Sequence, residues 1–417
     1  MVTKYPAVFR DGLGRCTKTK VHLELKPDSQ PKFFKARPIP FSIRTAVERD
    51  LERQVANGVL SPIETSSWAT SIVVVPKPNG AVRVCRDFSV TVNPQLDIAQ
   101  YPLPRPEELF AKLNGGVIFS KLDLSEAYLQ MELDDDAKKV LVVNTHTGLF
   151  QFHRMPFGIA SAPAIFQRTI EQVTARLDYV ACYLDDIIVT GTTLEHHLSN
   201  LAKVFQRLSD FGFTLKKEKC AFFKQEVEYL GQIVSKEGFR PSPKKISAIL
   251  NMPEPQFRWY WSSECVEAFE TVKLKLSAPG SLAHYDPARP LFLAADASSK
   301  GLGAVMFHRI DGKERPIARA SKTLTSAEKK YAQIEREALA IIFGVKKFHE
   351  YLWGRRFTLY TDHKPLTTIF GPYKGIPVTA ANRLQRWAFI LMSYSFDIIY
   401  KPTTDIGNAV GLPSSTL

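Results

Sequence analysis

The chain has 417 residues, enough for two or three domains with separate cores. Hydrophobic residues make up 45%, which is ordinary for a globular protein and argues against disorder. Lys and Arg total 55 against 42 acids, a formal charge of +13, so a polyanionic partner is expected, nucleic acid first, with a generic basic surface as the alternative.

Residues 1–40 are rich in Pro and Lys, end in KPDSQPKFFKARPIP and read as an extended N-terminal arm. The opening MVTKYPAVFRDGLG has no apolar core and no small-residue cleavage site, so no secretory signal is expected. No apolar run reaches the roughly 20 residues of a membrane span, and no membrane partner is expected. Ile43, Val47, Leu51 and Val55 recur every fourth residue and predict a helix that Gly58 closes. SIVVVPKPNGAVRVC, 71–85, predicts two strands about a Pro/Asn/Gly turn, and GGVIFSKLDL, 115–124, a strand behind turn glycines. Phe166, Ile170, Val173 and Leu177 mark a helix with Pro163 in its first turn; Leu194, Leu198, Leu201, Phe205 and Leu208 mark another, stopped near Gly212. KCAFFKQEVEYLGQIVS predicts further strands.

A second unit is expected after the Pro-rich NMPEPQ, 251–256. A helix is predicted from Trp261 to Leu276, then strands at 290–298, 301–309 and 315–321, a long amphipathic helix at 326–352, a strand at 356–363 and a last helix in RLQRWAFILMS. This alternation implies a mixed α/β domain. Five cysteines, at 16, 85, 182, 220 and 265, are scattered without metal-ligand spacing; no disulfide framework or zinc site is indicated, and a reducing intracellular setting is expected. His196 and His197 are adjacent on a helix, about 100° apart, so they cannot readily share a metal and are expected on a solvated face.

VACYLDDIIVT, 180–190, carries the chemistry. Asp185 and Asp186 stand side by side between two apolar strand-like runs. Adjacent anions repel and need water or a cation. An exposed turn would explain a lone Asp-Asp pair; the apolar flanks and a third carboxylate, Asp123 at the end of FSKLD, weigh against that. Three carboxylates at neighbouring strand ends could hold two Mg²⁺ ions, or Mn²⁺ in their place, for in-line phosphoryl transfer.

YLDD (183–186), KLDLSEAYLQ (121–130) and RMPFGIASAPAIFQR (154–168) resemble the palm motifs of reverse transcriptases. The chain is most similar to the pol polyprotein of gypsy-class LTR retrotransposons, over nearly its whole length. The resemblance implies an α+β fold: reverse transcriptase fingers and palm with an antiparallel palm sheet over 41–250, a shortened junction at 251–260, and a ribonuclease H-like mixed α/β domain over 261–417. It assigns metal binding to Asp123, Asp185 and Asp186. It places Tyr128 under the incoming sugar, where its bulk would exclude a 2′-hydroxyl. Phe157 and Gly158 would line the nucleotide pocket, Arg83 would grip the triphosphate, and Lys77 would be a second phosphate contact. Tyr229, Leu230 and Gly231 match the hairpin that holds the primer end.

The later unit resembles the ribonuclease H domain of the same polyprotein, with Asp296, Glu337 and Asp362 as its metal-binding acids. A fourth acid is expected in a GNAD-like segment; here the chain reads GNAVGL, with Val410 in the acid's place, and Asp405 is too far upstream to substitute. Impaired RNA cleavage is therefore expected. NMPEPQ also runs almost directly into the ribonuclease H lead-in, so the thumb and connection are expected to be largely missing. The implied function is an RNA-directed DNA polymerase acting on RNA or DNA template-primer, RNA–DNA hybrid and deoxynucleoside triphosphates. The competing reading is a catalytically weak nucleic-acid-binding relic.

Overall fold

The computed structural model describes residues 2–76, 82–124, 126–251, 263–277, 282–371 and 382–402. Lys77, the junction residues 252–260, Asp405 and Val410 lie outside them. The chain divides into two compact units, Met1–Tyr229 and Leu230–Leu417, so the division falls ahead of NMPEPQ.

In the first unit, residues 1–40 are tied down by single bridges, Val21 to Leu133, Leu25 to Leu96 and Phe33 to Ala69. Val8, Cys16, Val21, Leu23 and Ile39 from this arm are buried in the unit's core. Helix α1 (Phe41–Ala56) buries Val47 and Leu51. Then come β1 (Leu60–Ile63), β2 (Thr70–Pro76), β3 (Val82–Arg86), α2 (Pro106–Ala111), β4 (Ile118–Asp123), α3 (Asp135–Val140), β5 (Val142–Thr145) and β6 (Gly148–Phe152). Strands β5 and β6 were not expected from the sequence. They join a five-stranded sheet in the order β1-β6-β5-β2-β3, antiparallel except for β2 beside β5.

Helix α4 (Ala162–Thr174), β7 (Val180–Tyr183), β8 (Asp186–Gly191), α5 (Leu194–Phe211), β9 (Ala221–Lys224) and β10 (Glu226–Tyr229) complete the unit. The second sheet, β7-β8-β4-β9, is antiparallel. Strand β8 is buried from Ile187 to Gly191, which is why its sequence is a continuous apolar run rather than an alternation. α4 and α5 pack on β7 and β8. Leu201, Val204, Phe205 and Leu208 of α5 are fully buried, each contributing roughly 1.5–3 kcal/mol. Thr193 caps α5 by accepting from His196 N at 3.1 Å. Gly212 ends it at φ +81°, and a Cβ there would lie 2.1 Å from Arg15 O, so glycine is required by both conformation and space.

The second unit opens with the hairpin β11 (Gln232–Ser235) and β12 (Gly238–Pro241), then α6 (Pro243–Leu250) and α7 (Ser263–Ser277). Its main sheet contains β13 (Phe292–Ala297), β14 (Gly301–Ile310) and β15 (Lys313–Thr323). The helix predicted over 326–352 is three pieces: a 3-10 turn at Glu328–Lys330, α8 (Gln333–Lys347) and α9 (His349–Leu352), broken at Phe348 (φ −105°, ψ 23°). β16 (Arg356–Thr361), α10 (Lys364–Ile369), α11 (Asn382–Leu391) and β17 (Ser395–Tyr400) follow. The sheet order is β15-β14-β13-β16-β17; the first two pairings are antiparallel and the last two parallel. α8 lays Ala338, Ile341 and Val345 on Leu293, Ala295 and Met306, the core of this unit. Among the described residues, no helix is long and apolar enough to cross a membrane.

Candidate functional site

The Asp-Asp pair sits at a two-residue hairpin turn. Tyr183 and Asp186 are the last paired positions of β7 and β8, leaving Leu184 and Asp185 as the loop, and Leu184 takes φ +51°. A turn with positive φ in its first residue keeps the strand twist without an Asn-Gly pair. Asp186 is register-paired with Asp123 across β4 and β8, and Leu124 N donates to Asp185 O at 3.1 Å. Residues far apart in sequence are thus brought to one strand end.

Lysines stand against two of these carboxylates. Lys121 Nζ lies 2.9 Å from Asp186 Oδ2, and Lys219 Nζ 3.6 Å from Asp123 Oδ1. Asp123 Oδ1 is buried and accepts no hydrogen bond. Burial raises the Asp186 carboxyl above its ordinary range; Lys121 opposes this, and Asp185 and Asp123 add to it. The Cys220 thiol, which meets Asp123 N at 3.5 Å, is pushed up to about 11 by burial.

A cavity of about 590 Å³ opens beside the turn, lined by Asp123, Asp185, Arg83, Phe157, Gly158 and Lys219 among others. Gly158 holds φ +96°, a backbone that favours glycine. Tyr128 does not line this cavity directly. Its ring packs 4.9 Å from Phe157 and 5.3 Å from Phe166, and burial, followed by Asp185, pushes its hydroxyl up to about 12. The α1 residues Arg53 and Gln54 also line the cavity, as does Arg86, which donates to Gln54 Oε1 at 2.6 Å. Sequence reasoning missed these three; polar positions on a helix or at a strand end look like solvent-facing ones. Tyr229 is fully buried with an unpaired hydroxyl, which burial raises. Leu230 and Gly231 both take positive φ, as the two central residues of a type I′ turn do.

His197 corrects an expectation. It is fully buried rather than solvated: Nε2 meets Ser120 Oγ at 2.8 Å, while His196 is half-buried. The periodic run Leu201, Val204 and Leu208 places 197 on the same inner face, a signal that was available.

In the second unit, Asp296 on β13, Glu337 on α8 and Asp362 just past β16 converge, with one oxygen of each within 4.8 Å of the others. Among the described residues, Asp123, Asp185 and Asp186 do not close to that spacing. Glu337 is buried; Oε2 accepts from Ala297 N at 3.2 Å and Oε1 from Gln333 Nε2 at 2.5 Å. Burial, then Asp362 and Asp296, push its carboxyl up to about 8. Asp296 is raised by burial and by Asp362. Three crowded carboxyls, with the proton affinity of Glu337 and Asp296 raised, fit a divalent cation, which would neutralise them.

Residues 75–234 match the family described as reverse transcriptase (RNA-dependent DNA polymerase), and 286–394 match the RNase H-like domain found in reverse transcriptase. The chain carries a reverse transcriptase domain followed by a ribonuclease H-like domain. Its reverse transcriptase and ribonuclease H-like domains recur together in a Drosophila melanogaster relative, the retrovirus-related Pol polyprotein from transposon opus. That protein is 30% identical over 459 positions, covering 96% of this chain and 45% of the relative. The 459 positions exceed the 417 residues of the chain, so the relative carries residues within the matched stretch that have no counterpart here. An uncharacterized Caenorhabditis elegans protein is 42% identical over 253 residues, 60% of this chain and 20% of its own length. The chain thus spans less than half the length of these curated relatives. The fold is that of a foamy viral protease-reverse transcriptase solved with double-stranded DNA, at TM-score 0.81, 20% identity, and 96% and 77% coverage of this chain and that one.

Proposed function

We propose that the chain is an RNA-directed DNA polymerase of a retrotransposon with an impaired ribonuclease H domain attached. The reading rests on one observation above all: Asp123 and Asp186 face each other across β4 and β8, with Asp185 at the turn and the cavity beside them. Asp123, Asp185 and Asp186 would hold Mg²⁺ or Mn²⁺, which when bound would neutralise the charge of phosphoryl transfer. The buried, unbonded Asp123 Oδ1 is a donor atom suited to it.

Arg83 and Lys219 at the cavity wall would hold the triphosphate of a deoxynucleotide, with Lys77 as a further phosphate contact. Phe157 and Gly158 would floor the sugar, and Tyr128, held against Phe157, would exclude a ribose hydroxyl. Tyr229, Leu230 and Gly231 would grip the primer end. Template-primer fits the chemistry of the site, and foamy viral protease-reverse transcriptases of the same fold have been solved with double-stranded DNA and with RNA/DNA hybrid. We assign fingers and palm to 41–250 and the ribonuclease H-like domain to 261–417, and infer an intracellular setting from the scattered cysteines.

Asp296, Glu337 and Asp362 would hold the cations for cleaving the RNA strand of a hybrid. Val410 stands where the family has an acid and can ligate nothing, so cleavage would be slow. Extension of a DNA primer on an RNA template tests the polymerase, with Asp185→Asn as the control. Extension that the control abolishes supports it; salt-sensitive binding without extension leaves the relic reading. Hydrolysis of a labelled RNA–DNA hybrid tests the second domain: Val410→Asp should raise the rate, and rapid hydrolysis by the unaltered chain would refute the impairment.

A further inference from the structure

The stretch PKFFKARPIPFSIR, 31–44, is not used by either carboxylate centre. From Ser29 to Val47 the chain has no acidic residue, while Lys32, Lys35, Arg37 and Arg44 are interleaved with Phe33, Phe34 and Phe41. Those three rings are 51%, 40% and 83% exposed. Large exposed aromatics set among cations are unusual on a surface with no partner.

The backbone beneath them is fixed. Phe34 N donates to Ala69 O at 2.8 Å, Ala69 N donates to Lys32 O at 3.0 Å, and Asn144 Nδ2 donates to Phe34 O at 3.2 Å. Ile39 is buried and pins the middle of the stretch. Pro31, Pro38 and Pro40 keep it extended up to Phe41, where α1 begins. Arg44 donates from Nε to Ile39 O at 3.2 Å and holds its guanidinium 4.3 Å from the Phe41 ring centroid. Little further ordering is needed for a ligand to use these rings.

The stretch also contacts a segment that supplies the wall of the cavity. Arg37 Nη2 approaches Asp87 Oδ2 at 3.5 Å, and Asp87 follows Arg86, a wall residue of that cavity. Ala69 leads into β2, which is paired with the strand that carries Arg83.

We propose that residues 32–44 form a binding surface for an unpaired nucleic-acid strand, holding template nucleotides next to the cavity. Rings and cations in alternation match a strand that offers base faces and phosphates in alternation. A duplex hides its base faces, so it gains only the charge term. Base-on-ring stacking reads no sequence and no sugar, so single-stranded RNA and DNA are both accepted. The proposal extends the polymerase reading by naming where the template strand runs.

The test uses the full chain and fluorescence anisotropy on labelled primer–template, blunt or with an unpaired 5′ template extension, in DNA and RNA versions. The extension should tighten binding at least about tenfold. The triple substitution Phe33→Ala, Phe34→Ala, Phe41→Ala should remove that gain and leave blunt-duplex binding unchanged. Lys32→Ala with Lys35→Ala should flatten the salt dependence on the extended substrate, by up to roughly 0.7 in slope per lost phosphate contact. Phe33→Leu, which keeps the apolar bulk but not the ring, should give a partial loss without lowering the melting temperature. Equal loss on blunt and extended substrates, or no loss on either, overturns the proposal. So does binding of phosphatidylserine vesicles that depends on the three rings while oligonucleotide binding does not. An extension-dependent gain in a chain that fails to extend primers would sink the polymerase reading and leave this one standing.

Discussion

Lys121 Nζ sits 2.9 Å from Asp186 Oδ2, diagonally across the strand pair that sets Asp186 opposite Asp123. Both partners are about a quarter exposed, so the pair is neither fully screened nor fully desolvated. With no divalent ion, this ammonium and that of Lys219, 3.6 Å from Asp123 Oδ1, are the charges that let Asp123, Asp185 and Asp186 share one strand end. Lys121→Met removes the first and leaves the carboxylates to repel. We expect a loss of about 1–2 kcal/mol in urea denaturation with EDTA, mostly recovered in millimolar Mg²⁺. An equal loss with and without Mg²⁺ would mean that Lys121 only packs.

Tyr128 is wedged between Phe157 and Phe166, and Phe157 is half exposed at the cavity. If Tyr128 limits the sugar, Tyr128→Val should narrow the preference for deoxyribonucleotides over ribonucleotides by roughly 10–100-fold. The measurement is kcat/KM for each nucleotide in single-nucleotide extension. A uniform fall for both sugars would instead assign Tyr128 to the support of Phe157.

The parts legible in the sequence were those written in one local pattern. Leu201, Phe205 and Leu208 announce α5, and Gly212 its end. Asp185–Asp186 stood out because their flanks are apolar on both sides, which is how a strand buried on both faces reads. Short strands such as Val142–Thr145 escaped because four residues carry too little period. The break at Phe348 was invisible because the apolar pattern runs straight through it, and only the backbone angles interrupt α8. The cavity wall was the least legible part. Arg53 and Gln54 belong to it through the packing of α1 beside β3, a relation between distant segments that no local spacing encodes.

Gln333 was not singled out by the sequence either, yet its Nε2 holds Glu337 Oε1 at 2.5 Å from one helical turn away, and Arg336 Nη2 in turn donates to Gln333 Oε1. This chain fixes the carboxylate that α8 contributes to the cluster. Gln333→Ala should weaken divalent-ion binding there by about tenfold or more. Manganese binding followed by electron paramagnetic resonance, with Asp185→Asn and Asp186→Asn removing the other centre, reads it directly. Unchanged affinity would show that Ala297 N alone suffices to orient Glu337.

The same glutamate sets a pH dependence with a definite sign. Its carboxyl is pushed up to about 8 from an ordinary 4.5, by burial first and then by Asp362 and Asp296. Between those values the metal-free native state holds a proton that the unfolded chain has released. Stability of the metal-free chain must then fall as pH rises from about 4.5 through about 8, because the unfolded state binds fewer protons. Denaturation in EDTA at pH 6 and pH 8.5 should record the fall, and Glu337→Gln, which keeps the hydrogen-bonding shape without the ionisation, should flatten it. A divalent ion reverses the balance: it favours the deprotonated form, so its binding near pH 7 should release close to one proton. Titration calorimetry in buffers of different ionisation enthalpy, again with Asp185→Asn and Asp186→Asn, counts that proton. Metal uptake with no proton release would mean that Glu337 is already ionised and that its neighbours repel it less than the 4.8 Å spacing of the cluster implies.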